Sequence, residues 1–592
     1  MIPYLHYLPL AIFTLSAILS LSNKKIAYLF IVIGSIFFAF LQFRSENEIT
    51  YFSLIVSIVW VLVGIYSLSY GERYGRWLPS LLSVTIIGMF LILTASNYVL
   101  FIVGWEVMSI PSYLIIAINK RDSPAAFTFM VFSELSTIFL IAGVLYAFSL
   151  SGFTTFTFTS LHSAIPLLLI GFGALIKMGM TPFLISEWLP IAHGSAPASA
   201  SAIFSATMTV MGVYIIFRMI EISTGSPGLY YVGLIFLLIG GMSIFFASIY
   251  AYISENMKIL GGFSTIENQA AILSAFGLFL ISSDALLKQF VLVTIIIFTF
   301  SHSLSKTGLF LTVGNSSGEY FSEAKNKNSL FGKVGTMLSI ISLSGLFPTI
   351  GGLAVWMLLE SFFMQAFIGG YAGIVAIISG SIIAVSEGMV TGAMLKIFFF
   401  TNLFRKKEEN PEKLQSFVVF FVGLAVVTLF AFSVLMIPQL FLSGIPSVLV
   451  FNGLMIESRF GVGDFGLISP DYVILLIAMF SLLTYGVFRK PKARISPAWN
   501  GGSPVSSPYT SFAYSGNIKI MLKKILRTKT DTYGRDLSVV DVFWSSMIII
   551  GVNYRKACKL VTRGFMNSSV GWYMIYMIVA FMVVLLISVL FF

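Results

Sequence analysis

Apolar runs of about twenty residues follow one another along almost the whole of this 592-residue chain, separated by short stretches carrying Lys, Arg, Pro or Gly. As a helix, each run is long enough to cross a hydrocarbon layer of about 30 Å. Runs near 3–21, 26–43, 51–70, 77–95, 97–118, 124–150, 165–185, 197–220, 229–253, 262–282, 287–313, 333–368, 371–403, 415–442, 470–488 and 570–592 predict about sixteen spans. They lack the apolar/polar alternation of an outer-membrane barrel. The expected fold class is therefore an all-α polytopic membrane protein. The first run has neither a basic leader nor a small-residue cleavage site, and reads as a span.

Charge placement adds orientation. The chain is 58% hydrophobic and only 10% charged, against roughly 25% charged in soluble proteins. Its basic loops (Lys24/Lys25, Arg73/Arg76, Lys120/Arg121, Lys258, Lys325/Lys327/Lys333, Arg405/Lys406/Lys407 and Arg489/Lys490/Lys492/Arg494) follow odd-numbered spans. That alternation puts both termini on the extracytoplasmic side. The stretch 517–565 holds ten Lys/Arg and three Asp, a net +7 of the chain's +11. Ile518, Met521, Leu522 and Ile525 share one helical face there, with Lys519, Lys523 and Lys524 elsewhere. This pattern suits an amphipathic helix on the cytoplasmic surface of the bilayer; wedged between two spans, it points to lipid and not to nucleic acid. One cysteine, Cys558, and four histidines (His6, His162, His193 and His302) leave no plausible ligand set for zinc, haem or an iron–sulfur cluster. Neither a metal nor a catalytic centre is expected on this chain, and any electrons travel elsewhere.

Ionisable residues inside the spans carry the candidate chemistry, because a charge near the bilayer centre costs at least about 2.5–3.5 kcal/mol. Glu106 lies in FIVGWEVMSIPSYLII, Glu134 in FMVFSELSTIFLI, Lys177 in IGFGALIKMGMTP, and His302 and Lys306 in FTFSHSLSKTGLF. Glu360, Glu387 and Lys396 follow in later spans. Together they form a candidate polar file across the bundle. Each also has an ordinary reading. A buried glutamate such as Glu106 or Glu134 can serve packing through a hydrogen bond, Lys306 can tie two helices together, and Glu360, Glu387 and Lys396 can snorkel from span ends. Lys177 is the hardest to explain structurally, with apolar or small neighbours and no acid close in sequence. Burial and a nearby carboxylate act on a lysine's proton affinity in opposite senses. Moving one acid can thus switch Lys177 between holding and releasing a proton. His302 and Lys306, four apart, share a face; Glu387 and Lys396, nine apart, point oppositely and need partners from other spans.

Prolines supply the second signal. Pro111 and Pro182 each follow an ionisable residue, Glu106 and Lys177, by five positions, and Pro348 interrupts the run 333–368. A helical proline deprives the carbonyl four residues earlier of its donor, so helix breaks are expected at all three. Broken helices at membrane depth line cavities or protein-filled interiors.

Four segments carry a family resemblance: GWEVMSIPSYLII, KMGMTPFLISEWLPIAHGSAPASASAIFSATM, ENMKILGGFSTIENQAAIL and SHSLSKTGLFLTVG. They resemble the antiporter-like proton-translocating subunits of respiratory complex I, membrane-bound hydrogenases and Mrp-type antiporters, over about residues 75–410. STIEN, PAWNGGSPVSSPYTSFAYSGNIK and SSVGWYMIYMIVAFMVVLL are similar to the large antiporter-like subunit of formate hydrogenlyase and related hydrogenases. The resemblance implies two inverted five-helix repeats, each with a discontinuous helix, plus a lateral helix, in a prokaryotic cell membrane. It divides the chain into peripheral spans (1–75), an antiporter-like core (76–410), additional spans (411–495), a cytoplasmic-side loop with the lateral helix (496–569) and a closing anchor (570–592). It casts Glu106 as the carboxylate that modulates Lys177, and His302 and Lys306 as members of the central axis. It implies other membrane subunits as partners, with iron–sulfur clusters in peripheral redox subunits. This chain departs from the pattern in reading Phe204 and Val210 where a His or Lys is usual, Val355 near the usual exit-side charge, PFLISEW in place of a histidine-bearing motif, and Asn500 where relatives carry Cys. The leading expectation is a proton- or sodium-translocating subunit of a redox-driven complex. The alternatives are a cation/proton antiporter subunit, an inorganic-carbon uptake subunit, and a non-pumping structural subunit.

Overall fold

In the computed structural model, the described residues are 7–43, 49–118, 123–181, 184–185, 188–324, 327–403 and 412–440; beyond these they are 449–452, 455–458, 467–468, 470–488, scattered positions from 511 to 521, 529–530, 536–538, 542–565, 579 and 582. The helices are α1 (Leu8–Leu19), α2 (Lys24–Phe43), α3 (Ile49–Tyr70), α4 (Trp77–Thr94), α5 (Tyr98–Ile116), α6 (Pro124–Leu150), α7 (Ile165–Lys177) and α8 (Trp188–Ser195). Next come α9 (Ala198–Ile203), which runs through a π-turn at Phe204–Met208 into α10 (Thr209–Ile222), then α11 (Leu229–Ile253), α12 (Met257–Ile281) and α13 (Ala285–Gly314). They are followed by α14 (Leu330–Leu343), α15 (Ile350–Ile368), α16 (Gly370–Phe398), α17 (Lys413–Leu440), α18 (Pro470–Phe488) and α19 (Val542–Phe565). Among the described residues, twelve helices are long and apolar enough to cross a membrane, and α1, α7 and α14 are shorter apolar helices. The chain is a multi-pass helical membrane protein.

The centre of the bundle inverts the usual hydropathy. Met257–Ile281 has the lowest mean hydropathy of the twelve, 1.3, yet 94% of its most apolar stretch is buried. Gly370–Thr401, at 1.9, is only 39% buried over the same length. Lipid-facing surfaces must be apolar, whereas polar groups are tolerated only where protein surrounds them. The least apolar of these helices is thus among the most enclosed, second only to Ala198–Ile222.

Two features recur in the chain and mark it as a repeat. Asn97 caps α5 by accepting from the Leu100 N–H, and Asn256 caps α12 by accepting from the Lys258 and Ile259 N–H groups. Each asparagine also forms an isolated bridge to the segment after the following helix, Asn97 to Thr157 and Asn256 to Tyr320. The second feature is a break. α7 ends at Lys177 and α14 at Leu343, and two residues beyond each lies a glycine with positive φ, Gly179 (87°) and Gly345 (63°). A left-handed residue after the last turn ends a helix, and glycine adopts it without a Cβ penalty. After the first break a two-residue hairpin, Met180–Thr181 with Leu184–Ile185, leads to α8; after the second, Thr349 caps α15 by accepting from Gly352 N–H. Counted as spans, α4, α5, α6, α7–α8 and α9–α10 form one set, and α11, α12, α13, α14–α15 and α16 the other. Each set holds five, with the fourth broken. An odd number of crossings inverts the next set relative to the membrane.

Two expectations need correcting. Pro111 does not break its helix: α5 runs from Tyr98 to Ile116 with Pro111 inside it and buried. Loss of one donor does not end a helix packed on both sides by α4 and α6. The run 165–185 is not one span but α7 and a hairpin, with α8 following as a short helix the hydropathy pattern did not reveal. The run 333–368 is interrupted as expected, into two helices parted at 344–349, where Pro348 lies and Gly345 makes the turn. Pro182, Asn500, most of the 518–525 pattern and most of 570–592 lie outside the described residues. The chain divides into two units, 1–539 and 540–592. In the second, α19 is amphipathic and places Arg555, Lys556, Lys559 and Arg563 in its C-terminal half.

Candidate ion-translocation site

The first polar centre is built on the seam between α5 and α6, which the end of α7 meets. Lys177 is 1% exposed. Its Nζ donates to Ser109 Oγ (2.6 Å) on α5 and to Ser133 Oγ (3.0 Å) on α6. The rings of Trp105 and Phe129 flank it, with centroids 5.6 and 5.2 Å away. One helical turn along the same seam, Thr137 of α6 donates a hydrogen bond to the Glu106 carboxylate of α5. The spacing explains the arrangement: Glu106 and Ser109 are three apart, Ser133 and Thr137 four apart, so each pair shares a face. The ammonium is thus held by hydroxyls. Glu106 and Glu134 are the carboxylates whose charges reach it, and among the described residues no carboxylate lies within ion-pair distance of Nζ. Glu106 is half-buried, whereas Glu134 is exposed on the outside of the chain.

The second centre lies between α12 and α13. Lys306, fully buried, donates to Ser264 Oγ (2.6 Å) and more weakly to the Gly261 carbonyl (3.5 Å). Three residues after Ser264, Glu267 shares that face of α12 and is 1% exposed. Its carboxyl accepts from Asn268 and faces the carboxyl of Glu387 from α16. Glu267 was not singled out from the sequence, where it stands in the STIEN run; as an acid in mid-span it carried the same signal as Glu106.

A chain of polar contacts extends from the second centre to α9 and α10. His302, one turn before Lys306, places Nε2 3.0 Å from the Ser205 carbonyl. Ser205 lies in the π-turn that joins α9 to α10, and such turns free carbonyls from the helix and recur at functional sites. Ser205 Oγ bonds to Thr265 Oγ1 (2.6 Å), and Gln269 Nε2 donates to Thr209 Oγ1 (3.0 Å). Phe204 and Val210, the positions that break the family pattern, are buried and apolar. The polar link is made by their neighbours Ser205 and Thr209.

Lys396, fully buried on α16, pairs with Glu255 at 2.8 Å, just before α12. Ser511 donates to the other oxygen of Glu255 (2.5 Å), and Lys396 also donates to Ser515 Oγ (3.3 Å). The sequence demanded a partner from another segment, and these are the partners. Glu360 is buried on α15 at 8% exposure; Val355, at the usual exit-side position, packs in the turn made by Gly345.

Comparison with known proteins places this geometry. Residues 95–360, which contain both broken-span glycines and both lysines, match the family described as NADH:quinone oxidoreductase/Mrp antiporter, TM. Hydrogenase-4 component B of Escherichia coli (strain K12) is 28% identical over 408 residues, which cover 64% of this chain and 59% of that protein. The chain thus spans about three-fifths of that relative's length. A chain in the structure of the membrane-bound sulfane sulfur reductase (MBS), an archaeal respiratory membrane complex, superimposes with a TM-score of 0.74 at 16% identity, over 99% of both chains. A chain of the Mrp complex from Dietzia sp. DQ12-45-1b does so with 0.62 at 15% identity, over 73% of this chain and 95% of that one. These likenesses establish the antiporter-like fold.

Proposed function

We propose that the chain is an ion-translocating membrane subunit of a redox-driven complex of the complex I and membrane-bound hydrogenase type. The observation that carries this reading is a pair of buried lysines, each held by at least one serine hydroxyl one turn from a carboxyl, with a hydrogen-bonded run through Ser205, Thr209, Thr265 and His302 beside the second. A lysine in such a place has two resting positions, on the hydroxyls or on the carboxylate, about 5 Å apart along the helix. Changing the charge on the carboxylate shifts the lysine between them and changes its hold on a proton. Moving one charge against 100 mV costs about 2.3 kcal/mol, within reach of modest redox steps. The transported ion is H⁺ or Na⁺, electron transfer and its iron–sulfur clusters reside in partner subunits, and α19 contacts lipid headgroups or a neighbouring subunit.

Full-length likeness to a respiratory-complex chain favours a redox complex; likeness to an Mrp chain over 73% of this one supports a cation/proton antiporter subunit as the second reading. Extraction of the tagged chain in mild detergent, with identification of what accompanies it and an iron assay, separates the two. Iron–sulfur subunits in fixed ratio support the redox complex. Iron-free membrane partners alone would overturn it in favour of the antiporter.

A further inference from the structure

His193 belongs to neither lysine centre and has no assigned role, yet its position is unusual. It is fully buried on α8, and neither ring nitrogen has a hydrogen-bond partner. A neutral imidazole carries one donor and one acceptor, and leaving both unmet inside a protein is costly. Buried polar atoms of this kind are normally met by bound water. The ring stacks on Phe310, with centroids 4.6 Å apart, and Phe310 lies one turn beyond Lys306 on α13.

The turn of α12 at Gly261–Gly262 brings His193 and Lys306 together. Lys306 reaches the Gly261 carbonyl (3.5 Å), while a side chain at Gly262 would meet Pro190 Cα at 2.6 Å and His193 Cδ2 at 3.1 Å. Only glycine lets α8 lie this close. Three residues after His193, the Ala196 carbonyl accepts from Lys258 Nζ (2.9 Å), whose other partner is Glu319 (2.6 Å). The Glu319 side chain is 43% exposed. An accessible ion pair therefore stands at one end of α8, and His193 lies against the turn of α12 whose Gly261 carbonyl Lys306 reaches. Lys306, Lys258 and His302 are the charged or titratable groups whose fields reach the ring.

We propose that His193 is a proton-transfer residue, bridged by bound water, that links the Lys258–Glu319 mouth to Lys306. This rests on the ion-translocation reading above. A proton taken up at one ring nitrogen is matched by release of the proton from the other to water on the Lys306 side. Tautomer exchange through water then resets the ring, so charge and protons balance.

Two measurements on the full chain in its complex test this. In bilayers, magnetisation transfer from water to ¹⁵N-labelled histidine rings reports hydration directly. The His193 signal, identified by its loss in His193→Gln, is expected to build up about as fast as that of exposed His162. Glutamine can hold the water but cannot carry the proton, so H193Q is expected to slow ion translocation about tenfold or more. A dry ring, or H193Q translocating at the wild-type rate, overturns the proposal. Lys177→Ala measured alongside keeps the two readings apart. If it abolishes translocation while H193Q does not, only the role of His193 falls; if neither variant has an effect, the translocation reading falls with it.

Discussion

Lys177 and Lys306 are both buried and both donate to serines beside a carboxyl, but one ends a broken helix and the other lies within a continuous one. At the position of the second break that corresponds to Lys177 stands Leu343. The helix that carries the carboxyl is the second of its set in both halves, and there the order reverses: Glu106 precedes Ser109 in α5, whereas Ser264 precedes Glu267 in α12. Because five crossings invert the second set, α5 and α12 run in opposite directions through the bilayer. The reversed order therefore puts serine and carboxyl in the same sense relative to the membrane in both halves. What the two share is the polarity of the hydroxyl-to-carboxyl step, and what differs is the helix that supplies the lysine. Direction, not lysine position, is the common element. The halves also differ in enclosure: Glu106 is half-buried, whereas Glu267 is enclosed.

The largest effects should come from the carboxyls. Glu106→Gln and Glu267→Gln each remove the charged end of one step, and each should lower ion yield in sealed vesicles about tenfold or more; a near-normal yield in one would show that its half is passive. Next are the breaks. Gly179→Ala forces a Cβ into the left-handed region and against Ile266 and Leu189, and Gly345→Ala does the same against Val355. The backbone conformation alone costs about 1–2 kcal/mol, so both should unfold earlier in a detergent melt; an unchanged midpoint in either would mean that its break is held by something else. Asn256→Ala frees two capped N–H groups and Asn97→Ala one. A cap is worth about 1 kcal/mol, so N256A should lower the melting midpoint more than N97A, and the reverse order would undo the claimed equivalence of the two sites. Glu134→Gln should be mildest, changing ion yield by less than about twofold, because Glu134 is exposed on α6 while Lys177 is held by Ser109 and Ser133.

The spans were legible because hydropathy reports lipid contact directly, and the intramembrane charges stood out because each is costly there. The motif-bearing segments also located the family. What escaped was chemistry without charge. Ser109, Ser133 and Ser264 hold the lysines, but serine is unremarkable within a span. The breaks were attributed to proline, whereas α5 continues through Pro111, and it is Gly179 and Gly345 that turn the chain; a glycine's sign of φ is set by its surroundings. α8 was missed because eight residues reading WLPIAHGS are too short for a hydropathy window. Phe204 and Val210 read as vacancies in the axis because the π-turn that exposes the Ser205 carbonyl has no sequence signature.

The most direct test compares Lys177→Ala, Lys306→Ala and wild type in sealed vesicles energised by the native electron donor, with ions moved per electron as the readout. Loss of most of the yield in both variants is the expected result, since a file with two stations in series fails when either is removed. Full wild-type yield in either variant would contradict the two-lysine path.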